Sequence, residues 1–365
     1  MSKKDANIQN KIRGSLLGGA AGDALGYKVE FRDEDEIYNH YGPSGITEYA
    51  LDKKTGKAII SDDTQMTLFT ANGLLIRDTR GSLRGIAGGP AGYIHKAYLD
   101  WLETQGYKKS EHHVTWLIDV PELHHDRAPG LTVLDSLLSG KTGTIHEPIN
   151  NSKGCGGIMR IAPLALYNGS WDVKTADREA AKAAAITHGH PLGYMTAAVA
   201  AHIIYRGVYG GCDSVADAVC EAMDTVKTLF PDDAYMAELQ SIVDLAVKLS
   251  ANERSDLENI NTIGEGWVAE ETLAIAVYCA LRYPNDFSKA LIASVNHKGD
   301  SDSTGAVTGN ILGAWLGYDA IEDRWKENLE IADVILEMAD DLYTCCPMNA
   351  YDDYVDAKWL GKYVR

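Results

Sequence analysis

Two short runs of the sequence gather hard oxygen donors. Ser61-Asp62-Asp63-Thr64 stands just before the apolar positions Met66, Leu68, Phe69, Leu74 and Leu75, so its hydroxyl and carboxylates fall at the start of an expected helix. Such a start serves equally well as an N-cap followed by acidic residues that the helix dipole favours. Gly299-Asp300-Ser301-Asp302-Ser303-Thr304-Gly305 is more demanding. Asp300 and Asp302 are two apart and cannot share a face of a regular helix, so they converge only where the chain turns into one. Adjacent carboxylates repel unless a cation or a proton stands between them. Several carboxylates with interspersed hydroxyls suit Mg²⁺, Mn²⁺ or Ca²⁺ rather than a soft metal.

Two familiar acidic loops compete for the second run. Asp300, Asp302, Thr304 and Gly305 fit positions one, three, five and six of an EF-hand calcium loop, but position twelve is Ile311 instead of a bidentate glutamate. The D-x-D nucleophile of phosphohydrolases needs a preceding strand, and Phe287–Val295 has the spacing of a helix. Taken together, the two runs make a dinuclear site. Asp62, Asp63, Asp300 and Asp302 supply charge, Ser61 and Ser303 supply hydroxyl oxygen, and two divalent ions would offset the four carboxylates.

The elements that must position these residues are helices. Helical apolar spacing marks Lys11–Leu25, Thr64–Leu75, Ala176–Ile186, Leu192–Tyr205, Asp213–Leu229, Ala237–Lys248, Glu270–Leu281, Phe287–Val295, Thr304–Leu316 and Ile331–Leu342. Strand-like alternation is nearly absent, with at most a short hairpin near 46–60 around Lys54-Thr55-Gly56. Loops are expected at Gly42-Pro43-Ser44-Gly45, at Arg127-Ala128-Pro129-Gly130 and across Lys141–Gly157. The expected fold is therefore all-α, a single compact helical domain over 1–365. Gly14, Gly18, Gly22 and Gly26 fall four apart, as do Gly305, Gly309, Gly313 and Gly317. Glycine inside a helix costs about 1 kcal/mol relative to alanine. Either each stripe packs on some neighbour, or the two pack on each other and bring both acidic runs to one site.

Composition narrows the function classes. Lys+Arg 34 against Asp+Glu 52 gives a net charge of −18, a field that opposes binding to nucleic acid. An acidic protein that handles a phosphate-bearing molecule needs a metal ion or a loop of backbone N–H groups. Cys155, Cys212, Cys220, Cys279, Cys345 and Cys346 form neither a C-x-x-C pair nor a zinc-ligand pattern, which fits a reducing compartment. No stretch reaches 18 uninterrupted apolar residues, and the opening MSKKDANIQNKIRG lacks a signal-peptide core. The expectation is a cytoplasmic protein without a membrane partner. Its oligomeric state is not legible.

The sequence resembles the ADP-ribosylglycohydrolase family, which includes dinitrogenase reductase-activating glycohydrolase and the ADP-ribosylarginine hydrolases. The resemblance is strongest over 12–318, leaving 319–365 as a C-terminal helical extension. It rests on Gly14–Gly26, Val29-Glu30-Phe31, Ser61–Met66, Lys153–Pro163, Thr187–Pro191, Gly264–Ala269 and Asn296–Gly305, in the family's order. The resemblance implies an all-α fold with two Mg²⁺ (or Mn²⁺) ions beneath a cleft for ADP-ribose. It places the metal ligands on Ser61, Asp62, Asp63, Asp300, Asp302 and Ser303, with Ser303 standing where some relatives carry threonine. Glu30 matches a family glutamate on a mobile loop near the scissile bond, so Glu30, Asp63 and Asp302 are the expected catalytic carboxylates.

The loop Gly154-Cys155-Gly156-Gly157, with Met159, Arg160, His188 and Trp267, is expected to bind substrate, the loop through backbone N–H groups around a pyrophosphate. A plain glycine-rich turn, a structural ion pair at Arg160 and an ordinary core tryptophan are the alternatives. His190 is expected to be structural, and Asp23 to hold a hydrogen-bond network behind the metals. The implied reaction is hydrolysis of the N-glycosidic bond between ADP-ribose and an arginine side chain of an ADP-ribosylated protein. Another ADP-ribose linkage, an ADP-ribosyl metabolite, or a non-catalytic ADP-ribose-binding protein are the rival readings.

Overall fold

In the computed structural model, which describes residues 3–107, 109, 112–231, 234–351 and 353–365, helices account for nearly all regular structure. They are α1 (Lys3–Gly26), α2 (Glu34–Tyr41), α3 (Asp62–Arg84), α4 (Ala91–Thr104), α5 (Leu131–Leu138), α6 (Ala162–Leu166), α7 (Val173–Ala185) and α8 (Pro191–Tyr209). They continue with α9 (Val215–Leu229), α10 (Met236–Ser250), α11 (Asp256–Ile263), α12 (Ala269–Arg282), α13 (Phe287–Val295), α14 (Ser301–Leu316), α15 (Ala332–Thr344) and α16 (Ala357–Tyr363). Among the described residues the only β-pairings are two isolated bridges, Ala58 with Leu329 and Gly154 with Val268. Among the described residues no helix is long and apolar enough to cross a membrane.

The glycine stripes pack on each other, and this contact decides where the site lies. A Cβ added to Gly14 would stand 2.5 Å from the Gly313 carbonyl oxygen, one at Gly18 2.6 Å from that of Gly309, and one at Gly22 2.0 Å from that of Gly305. The order is antiparallel, so the C-terminal end of α1 lies against the N-terminal end of α14. A Cβ at Gly26 would meet the Ser301 carbonyl oxygen at 2.2 Å. Gly317 departs from its stripe. It closes α14 with φ 84 and faces Asn10 instead of the α1 backbone. Ser15 Oγ adds a donor to the Asn310 carbonyl at 2.8 Å.

The rest of the bundle encloses this pair. α8 is buried from Leu192 to Ile204, and α12 carries Leu273, Ile275, Val277 and Tyr278 at full burial, so both run through the core rather than over it. The described residues of 319–365 pack onto the body. Arg13 of α1 holds Asp340 of α15 through Nε at 2.6 Å, and Trp359 Nε1 of α16 donates to Thr79 Oγ1 of α3 at 2.8 Å.

The hairpin does not form. Asp52 N–H does reach the Lys57 carbonyl at 2.8 Å, but its second arm leaves to pair elsewhere. Ala58 N–H donates to the Asn328 carbonyl and Glu330 N–H to the Ala58 carbonyl, and Ile60 N–H then goes to Glu330 Oε2 at 3.2 Å. That arm is the approach to Ser61, anchored on the C-terminal part of the chain.

Candidate active site

Both acidic runs are helix starts, held open by different devices. At α3, Ser61 is extended and its Oγ accepts the Asp63 N–H at 3.2 Å. The N–H of Ser61 (2.8 Å), the N–H of Thr64 (3.1 Å) and the Thr64 hydroxyl all donate to the buried carboxylate of Asp23, which α1 delivers. Asp23 thus braces the turn from behind, as expected. At α14, Asp300 is the N-cap and its Oδ1 accepts the Ser303 N–H at 3.3 Å, while Asp302 Oδ1 accepts the same N–H at 3.0 Å. The Asp300 N–H is held by the Glu265 carbonyl at 2.8 Å.

The two starts meet in one cleft of about 290 Å³, lined by Asp62, Asp63, Asp300, Asp302, Ser303 and Glu30 among others. Ser61 lies beneath this lining, fully buried. Glu30, Asp300 and Asp302 each offer an oxygen within 4.8 Å of the other two. Glu30 therefore belongs to the cluster itself, where the family resemblance implied a catalytic glutamate on a loop above the metals. Glu30 Oε2 and Asp63 Oδ2 are buried without a hydrogen-bond partner among the described residues. Burial, then neighbouring carboxylates, holds Asp62, Asp63 and Asp302 well above the usual carboxylate range. Burial and the charges of Asp300 and Asp62 push Glu30 up to about 9. Asp23 is raised to about 6 by burial, against the hydrogen bonds from Thr64 and Ser61. Unpaired buried oxygens of one sign, all hard donors, fit a divalent cation of the Mg²⁺ or Mn²⁺ type.

The opposite wall is the glycine loop. Gly154, Cys155, Gly156 and Met159 line the cleft, while Gly157 lies behind them against α8. A Cβ at Gly156 would stand 2.9 Å from His188 Cε1, so a larger residue would displace the imidazole. Two of the loop's N–H groups are already engaged, that of Cys155 by the Trp267 carbonyl at 3.3 Å and that of Gly154 by Ser152 Oγ at 3.3 Å. The Cys155 thiol donates to Asp300 Oδ2 at 2.6 Å, and burial beside that carboxylate keeps the thiol well above its usual range. The loop thereby carries a side-chain contact to the acidic cluster.

Arg160 is not part of the lining. It is fully buried, with Nη2 donating to Thr187 Oγ1 at 2.6 Å and the guanidinium 4.4 Å from the Tyr98 ring centre. Thr187 Oγ1 is in turn 2.9 Å from His188 Nδ1, so Arg160 reaches the cleft only through a chain of contacts. Burial and the Arg160 charge push His188 down to about 3, which leaves a neutral imidazole facing the cleft. His190 caps α8, accepting the Leu192 N–H at 3.1 Å.

Sequence reasoning missed two parts of the cleft. Phe31, next to Glu30, is 71% exposed and stacks on Trp267, which lines the cleft, with ring centres 6.2 Å apart. An exposed aromatic beside a catalytic-type glutamate was the available signal. The second part is the 127–133 segment, of which only 127–130 carried an expectation, that of a loop. Ala128, Gly130, Leu131, Thr132 and Val133 all line the cleft. Ala128 has φ 59, a strained value for a residue with a Cβ. The Arg127–Glu330 ion pair (3.0 Å) and the Asp62 N–H on the Arg127 carbonyl (3.1 Å) hold it there.

Comparison with known proteins places this arrangement. The model of the family described as ADP-ribosylglycohydrolase matches residues 4–351. The human "ADP-ribosylhydrolase ARH3" is 25% identical over 364 residues, covering 89% of this chain and 90% of that one. The "ADP-ribosyl-[dinitrogen reductase] glycohydrolase" of Rhodospirillum rubrum is 23% identical over 328 residues, covering 89% and 92%. Among solved structures, an "ADP-ribosylglycohydrolase-related protein complex" shares the fold with a TM-score of 0.55 at 22% identity, over 93% of this chain and 99% of that one.

Proposed function

The chain belongs to the ADP-ribosylglycohydrolase family and is an ADP-ribosyl hydrolase, and from that premise we propose that it uses two Mg²⁺ or Mn²⁺ ions to release ADP-ribose from arginine side chains of modified proteins. The observation that carries the reading is the convergence of Glu30, Asp300 and Asp302 within 4.8 Å, in a cleft that Asp62 and Asp63 also line. Ser61, Asp62, Asp63, Asp300, Asp302 and Ser303 are the proposed ligands. When bound, the ions supply compensating charge and Lewis acidity toward the ribose hydroxyls and water.

The chain's own residues do the rest. Water adds to the anomeric carbon as the C–N bond breaks, and a proton ends on the departing guanidine nitrogen. The water's proton passes to a carboxylate, for which Glu30, ionised once bound cations offset its neighbours' charge, is the proposed acceptor. Asp63 and Asp302 stabilise the positive charge that develops on the sugar. The loop 154–157 with Met159 and His188 contacts the pyrophosphate, and a neutral His188 offers a hydrogen bond there without adding charge. Arg160 fixes His188 through Thr187. Trp267 and Phe31 close the mouth over the bound molecule and exclude water.

The relatives named ARH3 and the dinitrogen reductase enzyme match this chain at similar identity, so other linkages belong in the same test. Arginine-, serine- and aspartate-linked ADP-ribosyl proteins are incubated with the enzyme, with and without Mg²⁺, and free ADP-ribose is measured. Release from the arginine-linked protein at ten times the rate of the others is expected. Faster release from another linkage moves the reading to that linkage, and release from none contradicts catalysis.

A further inference from the structure

The far end of α3 carries a feature that the hydrolase chemistry does not use. A pocket of about 320 Å³ opens there between α3, α4 and residues 363–365. Four of its lining residues are cationic: Arg80 and Arg84 of α3, Lys96 of α4, and Arg365. No aspartate or glutamate lines it. Arg365 is already engaged, its Nη1 on the Thr115 carbonyl at 2.7 Å and its Nη2 on Asp119. Arg80, Arg84 and Lys96 form no ion pair among the described residues.

This is an unusual concentration in a chain of net charge −18. Arg80 and Arg84 stand one helical turn apart, a spacing at which like charges weaken a helix. Only Arg84 lies in the last turn, where the helix dipole favours a cation, so the dipole does not account for Arg80 or for Lys96 on the neighbouring helix. An anion among the three would relieve the repulsion. The walls between the cations are not polar: Ile76, Leu83, Tyr93 and Val114 are half-buried there. A bare inorganic ion leaves those walls in contact with water. An organic anion covers them, and the volume lies at the small end of ligand pockets.

We propose that this pocket is a second ligand site, taking a small phosphomonoester with an apolar or aromatic body. The phosphate lies among Arg80, Arg84 and Lys96, and the body lies against Tyr93 and the aliphatic walls. The site is separate from the cleft. Arg80 is 18 positions along α3 from Asp62, about 27 Å at the rise of an α-helix, so one small molecule cannot touch both.

The test uses the full-length protein and adenosine 5′-monophosphate as probe, with inorganic phosphate in parallel, followed by calorimetry. Saturable binding of the nucleotide is expected, at least tenfold tighter than phosphate. The double variant Arg80→Gln/Arg84→Gln and, on the other helix, Lys96→Gln should each weaken it at least tenfold with unchanged melting temperature. All three side chains are exposed, so neither variant disturbs the core. Should the double variant fail to fold, Lys96→Gln carries the test alone. Nucleotide affinity untouched by these changes would place the probe elsewhere, the acidic cleft included, and overturn the proposal. Equal affinity for phosphate and nucleotide would overturn the organic ligand. Sedimentation with phosphatidate vesicles without saturable nucleotide binding would assign the cations to a membrane surface, and would overturn it as well.

Discussion

Asp302 and Glu30 present oxygens to the same small volume, yet they arrive there differently, and substitution should separate them. Asp302 sits in the first turn of a helix whose position is fixed by the glycine contact, whereas Glu30 follows the end of α1, its N–H on the Gly26 carbonyl at 3.0 Å. Asp302→Asn keeps shape and one oxygen but removes a charge, so Mn²⁺ affinity in a calorimetric titration should fall at least tenfold along with rate. Glu30→Gln takes a charge from the same cluster and should also lower that affinity, though less than Asp302→Asn does. Its single-turnover rate at saturating Mn²⁺ should drop by about 10²–10⁴, the usual cost of a lost general base. A rate loss below threefold would assign the proton to the other carboxylates and make Glu30 a positioning group.

At this scale the spacing of Asp300 and Asp302 pointed to a convergence only if the chain turned there, and the turn into α14 supplies it, beside a Glu30 that the spacing could not show. The Cys155 thiol on Asp300 and the Phe31–Trp267 stack were not legible, because each joins residues more than a hundred positions apart through side-chain directions that no local pattern encodes.

The contact between α1 and α14 is the element on which the site depends. At Gly18 a Cβ alone would come within 2.6 Å of a backbone oxygen, and at Gly309 within 1.9 Å, with no flexible side chain there to yield. Gly18→Leu and Gly309→Leu should therefore each cost at least about 1–3 kcal/mol by overpacking, read as a lowered melting temperature, and should also weaken metal binding by parting Asp23 from Asp302. Unchanged melting in both would contradict the close approach. The stripes were visible in the sequence because glycine at four-residue intervals is costly without a partner.

Long helices with apolar periodicity were equally visible. The short ones, α2, α5, α6, α11 and α16, were not, since eight residues or fewer give a periodic pattern little room. α4 escaped for another reason. Its buried face includes Asp100 and Thr104, whose polar types hide the stripe. The 46–60 segment misled because its alternation serves pairing with 328–330, remote in sequence.

Over the whole molecule the buried acids set how stability responds to pH. In metal-free protein burial and the neighbouring carboxylates push Glu30 up to about 9, and burial raises Asp23 to about 6. Both lie above their unfolded values, so the folded state keeps protons that the unfolded chain has released. Their contribution is present at low pH and is lost as pH rises through that window. His188, pushed down to about 3, and His297 and His95, also lowered by burial, act in the opposite sense. They do so only up to their ordinary value near 6.5, so across pH 5.5–8.5 they span less than Glu30 does. Glu221, lowered to about 2 by Arg206 and Cys212 against its own burial, acts in that sense only below its ordinary value, outside the window. Metal-free protein should therefore melt lower at pH 8.5 than at pH 5.5, and Mg²⁺ should raise the melting temperature more at pH 8.5. A flat or rising profile without metal would contradict the crowding of carboxylates.

The family was legible because its motifs are the structure's constraints: the glycine face of α1, the starts of α3 and α14, and the loop 154–157. Substrate linkage was not, since no short motif encodes the cleft lining that the 127–133 segment contributes. The central claim is that these carboxylates work with divalent ions to free ADP-ribose. Its most direct test measures ADP-ribose released from a modified protein by enzyme stripped with chelator, before and after Mg²⁺ or Mn²⁺ is returned. No release without metal and full recovery on its return is the predicted result, and full turnover by the stripped enzyme would contradict the account.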